Sequence, residues 1–323
     1  MQKQIPKLSL GTRGVGAAPP RIAVVGTGAI GSFYGGKLAV AGRDVHFLVR
    51  SGFDQIKRSG IRIYGKKENF HVTKAQVYQS PSQIGPCDLV LVALKATQND
   101  ALLEIIPPLL HHDTILFTLQ NGLGNEEFLA THFGAERVMG GLCFICLNRI
   151  SPGLVEHLDY GHLNLGEFAS VAKKRTHNLA REFRQSGVEC QIVDNLMEAR
   201  WHKLVWNIPF NGLTITAGGI TTGDILRDDD LRSATLALMD EVIEGARACG
   251  YSLPRDVVFE HIKRTEMIGA YKPSTLLDLE ARQALEVEAI WGEPLRRARA
   301  QGVPMPRLEQ LYTHLKDLDA RLK

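Results

Sequence analysis

Residues 21–31, Arg21-Ile22-Ala23-Val24-Val25-Gly26-Thr27-Gly28-Ala29-Ile30-Gly31, decide the fold. The apolar run Arg21–Val25 reads as a strand, and residues 29–41 read as a helix ended by Gly42. Between them stands a G-x-G-x-x-G turn. Gly26 permits the tight turn, and Gly28 lets a pyrophosphate approach the backbone. Gly31 lets the helix lie close on the strand, and the helix N-terminus faces the anion. Glycines in this spacing alone are weak evidence. Leaving a first strand and opening a helix, they point to a dinucleotide, held by Gly26, Gly28, Ala29, Ile30 and Gly31.

Outward from the turn, strands alternate with helices. Residues 44–49 form the second strand, which ends at Arg50-Ser51. An NAD-binding chain carries an acid about 20 residues after the glycine turn. The planar donor fork of Arg50 suits a 2′-phosphate instead, so NADP(H) is the expected cofactor. Residues 61–64 and 70–72 read as a hairpin around a polar turn. Residues 88–94 and 114–119 are apolar throughout, as strands buried on both faces are. The loops that follow carry Lys95 and Asn121. Lys95 is expected near cofactor phosphate or ribose, and Asn121 near the nicotinamide ribose or the substrate. Further strands are expected near 138–147, 154–158, 162–166 and 190–193, with a helix over 178–185. After Asp194 only helical periodicity remains, including long helices over 232–249 and 286–300. The expected organisation is a flexible extension over 1–20, a Rossmann-type NADP-binding domain over 21–194, and an all-helical substrate and catalytic domain over 195–323.

Composition narrows the function. The 323 residues are 44% hydrophobic and 23% charged, ordinary globular values that exclude a disordered or low-complexity chain. No apolar run approaches the roughly 20 residues that span a bilayer, so no membrane partner is expected. Net charge is +3, and Lys3, Lys7 and Arg13 account for all of it, leaving no basic footprint for nucleic acid. The first twenty residues lack the apolar segment of a secretory signal. Five cysteines, Cys87, Cys143, Cys146, Cys190 and Cys249, do not make a disulfide framework, and a cytoplasmic location follows. No metal site is expected: Cys143 and Cys146 sit in an apolar strand, and His111-His112 at an exposed helix end. His202 reads as structural, and Arg296-Arg297-Ala298-Arg299 as a solvated helix face.

The helical half carries one unusual segment, Trp201–Thr216 (WHKLVWNIPFNGLTIT). Lys203, Asn207 and Asn211 are spaced i, i+4, i+8 and share one face of an otherwise apolar helix. Buried polar groups need partners, so this stripe is expected to line a cleft. Pro209 frees the Val205 carbonyl. Downstream, Pro273-Ser274-Thr275-Leu276-Leu277-Asp278 reads as a helix start in which Thr275 and Asp278 form a capping box, and Ser274 is placed to hold a carboxylate.

In this order, GTGAIGSFYG, LVALKATQ, LQNGLGNEE, WHKLVWNIPFNGLT, PSTLLDLEARQALEVEAIWG and RRARAQGVPMP resemble the ketopantoate reductase (2-dehydropantoate 2-reductase) family over nearly all of residues 21–315. The resemblance implies a Rossmann domain followed by a helical domain like that of 6-phosphogluconate dehydrogenase. It also implies NADPH-dependent reduction of 2-dehydropantoate to (R)-pantoate in pantothenate biosynthesis, on the way to coenzyme A. By position it makes Lys203 the catalytic lysine and Glu286 its partner. It makes Asn121, Asn207, Asn211 and Ser274 substrate contacts, Arg50 the 2′-phosphate contact and Lys95 a phosphate-side contact. Two positions depart from the family: Thr222 replaces an asparagine that precedes a glycine in some members, and Thr275 replaces the usual methionine. They leave open reduction of another 2-keto acid by the same fold. A non-catalytic NADP sensor is the alternative of a different class. The expected partner is a small 2-keto acid, and a homodimer is compatible with the long amphipathic helices.

Overall fold

The computed structural model describes residues 20–254 and 256–322. Apart from Pro20, the expected extension lies outside the described residues. The chain divides into two compact units. Among the described residues, the first contains residues 20–94, Gln98–Gln120 and Glu126–Asp194; the second contains Lys95–Thr97, Asn121–Asn125 and residues 195–254 and 256–322. Two short segments that the sequence reading leaves in the first domain therefore cluster with the helices.

The first unit is built on ten strands: β1 (Arg21–Val25), β2 (Asp44–Leu48), β3 (Ile61–Gly65), β4 (Phe70–Val72), β5 (Gln76–Tyr78), β6 (Leu89–Val92), β7 (Ile115–Thr118), β8 (Val138–Ser151), β9 (Leu154–Glu167) and β10 (Cys190–Ile192). Their order is β4-β3-β9-β8-β7-β6-β1-β2-β5, and β10 also pairs with β9. From β5 through β8 every pairing is parallel. The order reverses between β1 and β6, the switch point at which such sheets bind ligands beyond their strand ends. Both faces are covered: Ile22 and Val24 belong to one apolar cluster, and Ala23 and Val25 to another. That double burial explains the unbroken apolar runs of β1, β6 and β7.

Three details differ from the sequence reading. The strand segments expected between 138 and 166 are two continuous fourteen-residue strands around the Pro152-Gly153 turn, and three register shifts absorb the irregularities. The short edge strand β5 carries too little alternation to be read from sequence. The helix expected over 286–300 begins after Glu286, with a π turn at Glu288–Gly292 followed by Glu293–Ala300.

The second unit is helical around Leu196–Thr216, whose Trp201, Leu204, Val205, Ile208 and Phe210 are buried. Asn195 caps this helix by accepting the Glu198 N–H at 3.1 Å. Asp229–Ala248, Ser274–Glu280 and Pro306–Ala320 pack on it. No helix among the described residues is long and apolar enough to cross a membrane.

Candidate active site

In the first unit the glycine turn leaves the C-terminal end of β1. Gly26 has φ +102°, and a Cβ there would meet the Leu94 nitrogen at 2.6 Å. A Cβ on Gly31 would stand 2.0 Å from the Gly26 oxygen, so only glycine permits this helix–strand approach. Gly28 differs, because its Cβ would meet nothing within 4 Å. The turn thus has open space where a phosphate approaches. The Ser32 N–H donates to the Gly28 oxygen at 2.9 Å, and the preceding N–H groups of the first turn have no intrahelical acceptor. The Thr27 hydroxyl ties the turn to the Leu48 oxygen at 2.9 Å. Arg50 is exposed two residues beyond β2. These groups fit a dinucleotide: a pyrophosphate over the turn and a charged fork past the second strand.

The second unit brings together most of the remaining candidates. Lys203 is half-buried, while Asn207 and Asn211 are buried on the same helix. Lys203 Nζ donates to Asn121 Oδ1 at 2.8 Å. The Asn121 loop is held in turn by its own backbone. Asn125 Nδ2 donates to the Asn121 oxygen at 2.9 Å, and the Leu123 N–H to the Ala289 oxygen at 2.9 Å. Ala289 lies in the π turn, whose displaced hydrogen bonding is common where a helix carries a functional contact. Between these anchors Gly122 has φ +83°, and a Cβ there would lie 2.3 Å from the Ala289 oxygen.

Glu286 is buried immediately before the same π-turn helix. Its Oε1 accepts the Ala96 N–H at 2.8 Å, and its Oε2 lies 3.5 Å from Lys95 Nζ. Lys95 also donates to Asp278 Oδ2 at 2.6 Å. Burial works against the Lys95 charge, but the Glu286 and Asp278 carboxylates outweigh it and raise the ammonium pKa. Burial raises the Asp278 pKa by more than the Lys95 charge lowers it. Glu286 and Ala289, three residues apart, thus anchor the two loops that cluster with this unit.

The Thr275–Asp278 capping box does not form. The helix Ser274–Glu280 takes Pro273 as its N-cap, with no side-chain cap. Thr275 donates instead to Asn211 Oδ1 at 2.9 Å, and Asp278 receives Lys95. Both side chains take tertiary partners in place of the helix's own N–H groups, and the Lys95 ion pair is charge-assisted. Sequence reasoning missed Asp278 and Gly122 as parts of this cluster, and it singled out Thr275 without its Asn211 partner. One signal was available for Asp278, which stands one helical turn after Ser274. Thr222 is buried, with its hydroxyl donating to the Gly269 oxygen at 2.9 Å, so this departure is absorbed in backbone contacts.

The residues set aside fall elsewhere. Cys143 and Cys146 are buried on β8 and are not joined in a disulfide. His111 contacts Asp88 at 3.4 Å, and Arg296, Arg297 and Arg299 pair with Glu288, Glu293 and Glu309. Among the described residues no group of three or more His, Cys, Asp or Glu is placed to hold a metal ion.

The family model described as "Ketopantoate reductase PanE/ApbA" matches residues 22–170, and the one for its C-terminal part matches residues 195–319. A 2-dehydropantoate 2-reductase from Nostoc sp. is 37% identical over 306 residues, covering 93% of this chain and 96% of that protein. The crystal structure of a 2-dehydropantoate 2-reductase from Geobacter metallireducens is 44% identical with a TM-score of 0.90, covering 92% of this chain and 99% of that one. That of a 2-dehydropantoate 2-reductase from Methylococcus capsulatus is 34% identical with a TM-score of 0.85, covering 94% and 98%.

Proposed function

The chain belongs to the ketopantoate reductase PanE/ApbA family, and on that premise we propose that it reduces 2-dehydropantoate to (R)-pantoate with NADPH, a step of pantothenate biosynthesis. NADPH, when bound, supplies the hydride received by the ketone carbon. The turn Gly26–Gly31 holds the pyrophosphate, Arg50 the 2′-phosphate, and Lys95 a phosphate-side group. Lys203 donates a proton to the ketone oxygen as charge develops there, and Asn121 holds its ammonium in place. Ser274 receives the substrate carboxylate, and Asn207 and Asn211 its hydroxyl and carbonyl. Glu286 is the partner acid of Lys203, and its own carboxylate is fixed by the Ala96 N–H and the Lys95 ammonium. The partner is a small 2-keto acid, and the location is the cytoplasm, where five cysteines, an odd number, stay reduced.

The observation that carries this reading is the convergence of Lys203, Asn121 and the two buried asparagines in one unit. The test is NADPH oxidation by purified protein with 2-dehydropantoate, with NADH in parallel. Turnover favouring NADPH supports the reading. Turnover only of a different 2-keto acid favours the second reading, motivated by Thr275 beside Asn211. NADPH binding without turnover of any 2-keto acid assigns a sensor.

A further inference from the structure

We propose that Thr275 is a specificity-determining positioning residue, which fixes the Asn211 carboxamide so that Asn211 addresses the substrate as a donor. The inference deepens the reading above and rests on it. Asn211 Nδ2 lies 3.0 Å from the Asn207 carbonyl oxygen. A carbonyl only accepts, so the amide group facing it is the NH₂, which settles the carboxamide orientation. Oδ1 then lies on the other side, where the Thr275 hydroxyl donates to it at 2.9 Å. Both side chains are buried, so solvent does not stand in for either partner. With one Oδ1 lone pair given to Thr275 and one amide hydrogen given to Asn207, the second amide hydrogen is the donor that Asn211 has left to offer. It stands on the helix that also carries Lys203 and Asn207.

A methionine, the residue that the family resemblance places here, has no hydroxyl to give. Asn211 Oδ1 then loses this partner, and the carboxamide is held by the Asn207 carbonyl alone. Held at both ends by Asn207 and Thr275, Asn211 favours a 2-keto acid with an acceptor oxygen opposite its free N–H. A substrate without one leaves a buried N–H unpaired, the situation that produces strong discrimination.

The test is a double-mutant cycle on steady-state kinetics with NADPH. Thr275→Val keeps the shape and removes the hydroxyl; Thr275→Ser keeps the hydroxyl. Thr275→Val is expected to raise the 2-keto acid KM about tenfold, the worth of one hydrogen bond, with kcat and the NADPH KM within about twofold of wild type. Thr275→Ser restores the KM. In an Asn211→Ala background Thr275→Val adds less than about twofold, because its effect passes through Asn211. The same cycle read as pantoate binding gives a second measurement. An unchanged KM in Thr275→Val, or an equal loss with and without Asn211, overturns the proposal. Losses that spread equally to the NADPH KM mean a merely structural role and also overturn it. Wild-type turnover separates the two readings. If only another 2-keto acid is reduced, the substrate assignment fails and the cycle is run with that acid. If none is reduced, both fail.

Discussion

Gly122→Ala is the sharpest perturbation of the site, because the added methyl meets backbone. Its Cβ would lie 2.3 Å from the Ala289 oxygen and 2.4 Å from the Ala289 carbonyl carbon. Ordinary contact requires the loop or the π turn to move by about 1 Å. The φ of +83° adds about 1–2 kcal/mol of left-handed strain for alanine. The movement pulls the Leu123 N–H from the Ala289 oxygen, a hydrogen bond worth about 1 kcal/mol. The expected stability loss is therefore about 2–3 kcal/mol. The functional loss is larger. Asn121 precedes Gly122 and holds Lys203 Nζ at 2.8 Å. A misplacement of about 1 Å at a catalytic group costs roughly a hundredfold. The assay pairs kcat for NADPH-dependent reduction, at a temperature where the variant is folded, with urea unfolding. A variant whose kcat stays within about twofold of wild type would refute the argument that this backbone contact positions Asn121 and Lys203.

Three further outcomes are expected. Lys203→Ala lowers kcat by about 10²–10⁴ and leaves the NADPH KM near wild type, as removal of a general acid does; a near-normal kcat removes Lys203 from that role. Arg50→Ala raises the NADPH KM about tenfold or more and leaves the NADH KM nearly unchanged, since only NADPH carries the 2′-phosphate; equal changes for both cofactors refute the contact. The third outcome concerns acid stability. Burial first, and then the neighbouring His202, lower the His261 pKa from 6.5 to about 4. The unfolded chain takes up this proton near pH 6.5 and the folded chain resists it until about pH 4, so stability falls with acid across that window. The loss is about 2 kcal/mol between pH 7 and pH 5. Unfolding titrations should show a shallower pH slope in His261→Gln, and an unchanged slope contradicts the assignment.

The legible parts of the chain were those whose signal is local. The run Arg21–Val25 and the glycines after it announced the dinucleotide turn, because a helix–strand approach with 2.0 Å between a Cβ and an oxygen permits one residue type. The spacing of Lys203, Asn207 and Asn211 announced a shared face, because helical geometry fixes it. The helix start near Ser274 was legible too, yet its capping box was not there. Thr275 and Asp278 have the right types and spacing for a cap, and spacing carries no information about competitors from elsewhere in the chain. The π turn was invisible for a similar reason: the apolar pattern around Trp291 is helical whether each bond spans four residues or five.

By itself, then, the sequence determined the alternation of strands and helices up to Asp194, the glycine turn, and which polar residues lie on one helix face. All of these follow from periodicity and from steric limits on neighbouring residues. Only the tertiary structure decided which groups meet. Thr275 reaches Asn211 across 64 residues, Lys95 reaches Asp278 across 183, and Glu286 reaches the Ala96 N–H across 190. The physical reason is that a buried donor or carboxylate must find a partner, and the packed chain determines which one lies within hydrogen-bond distance.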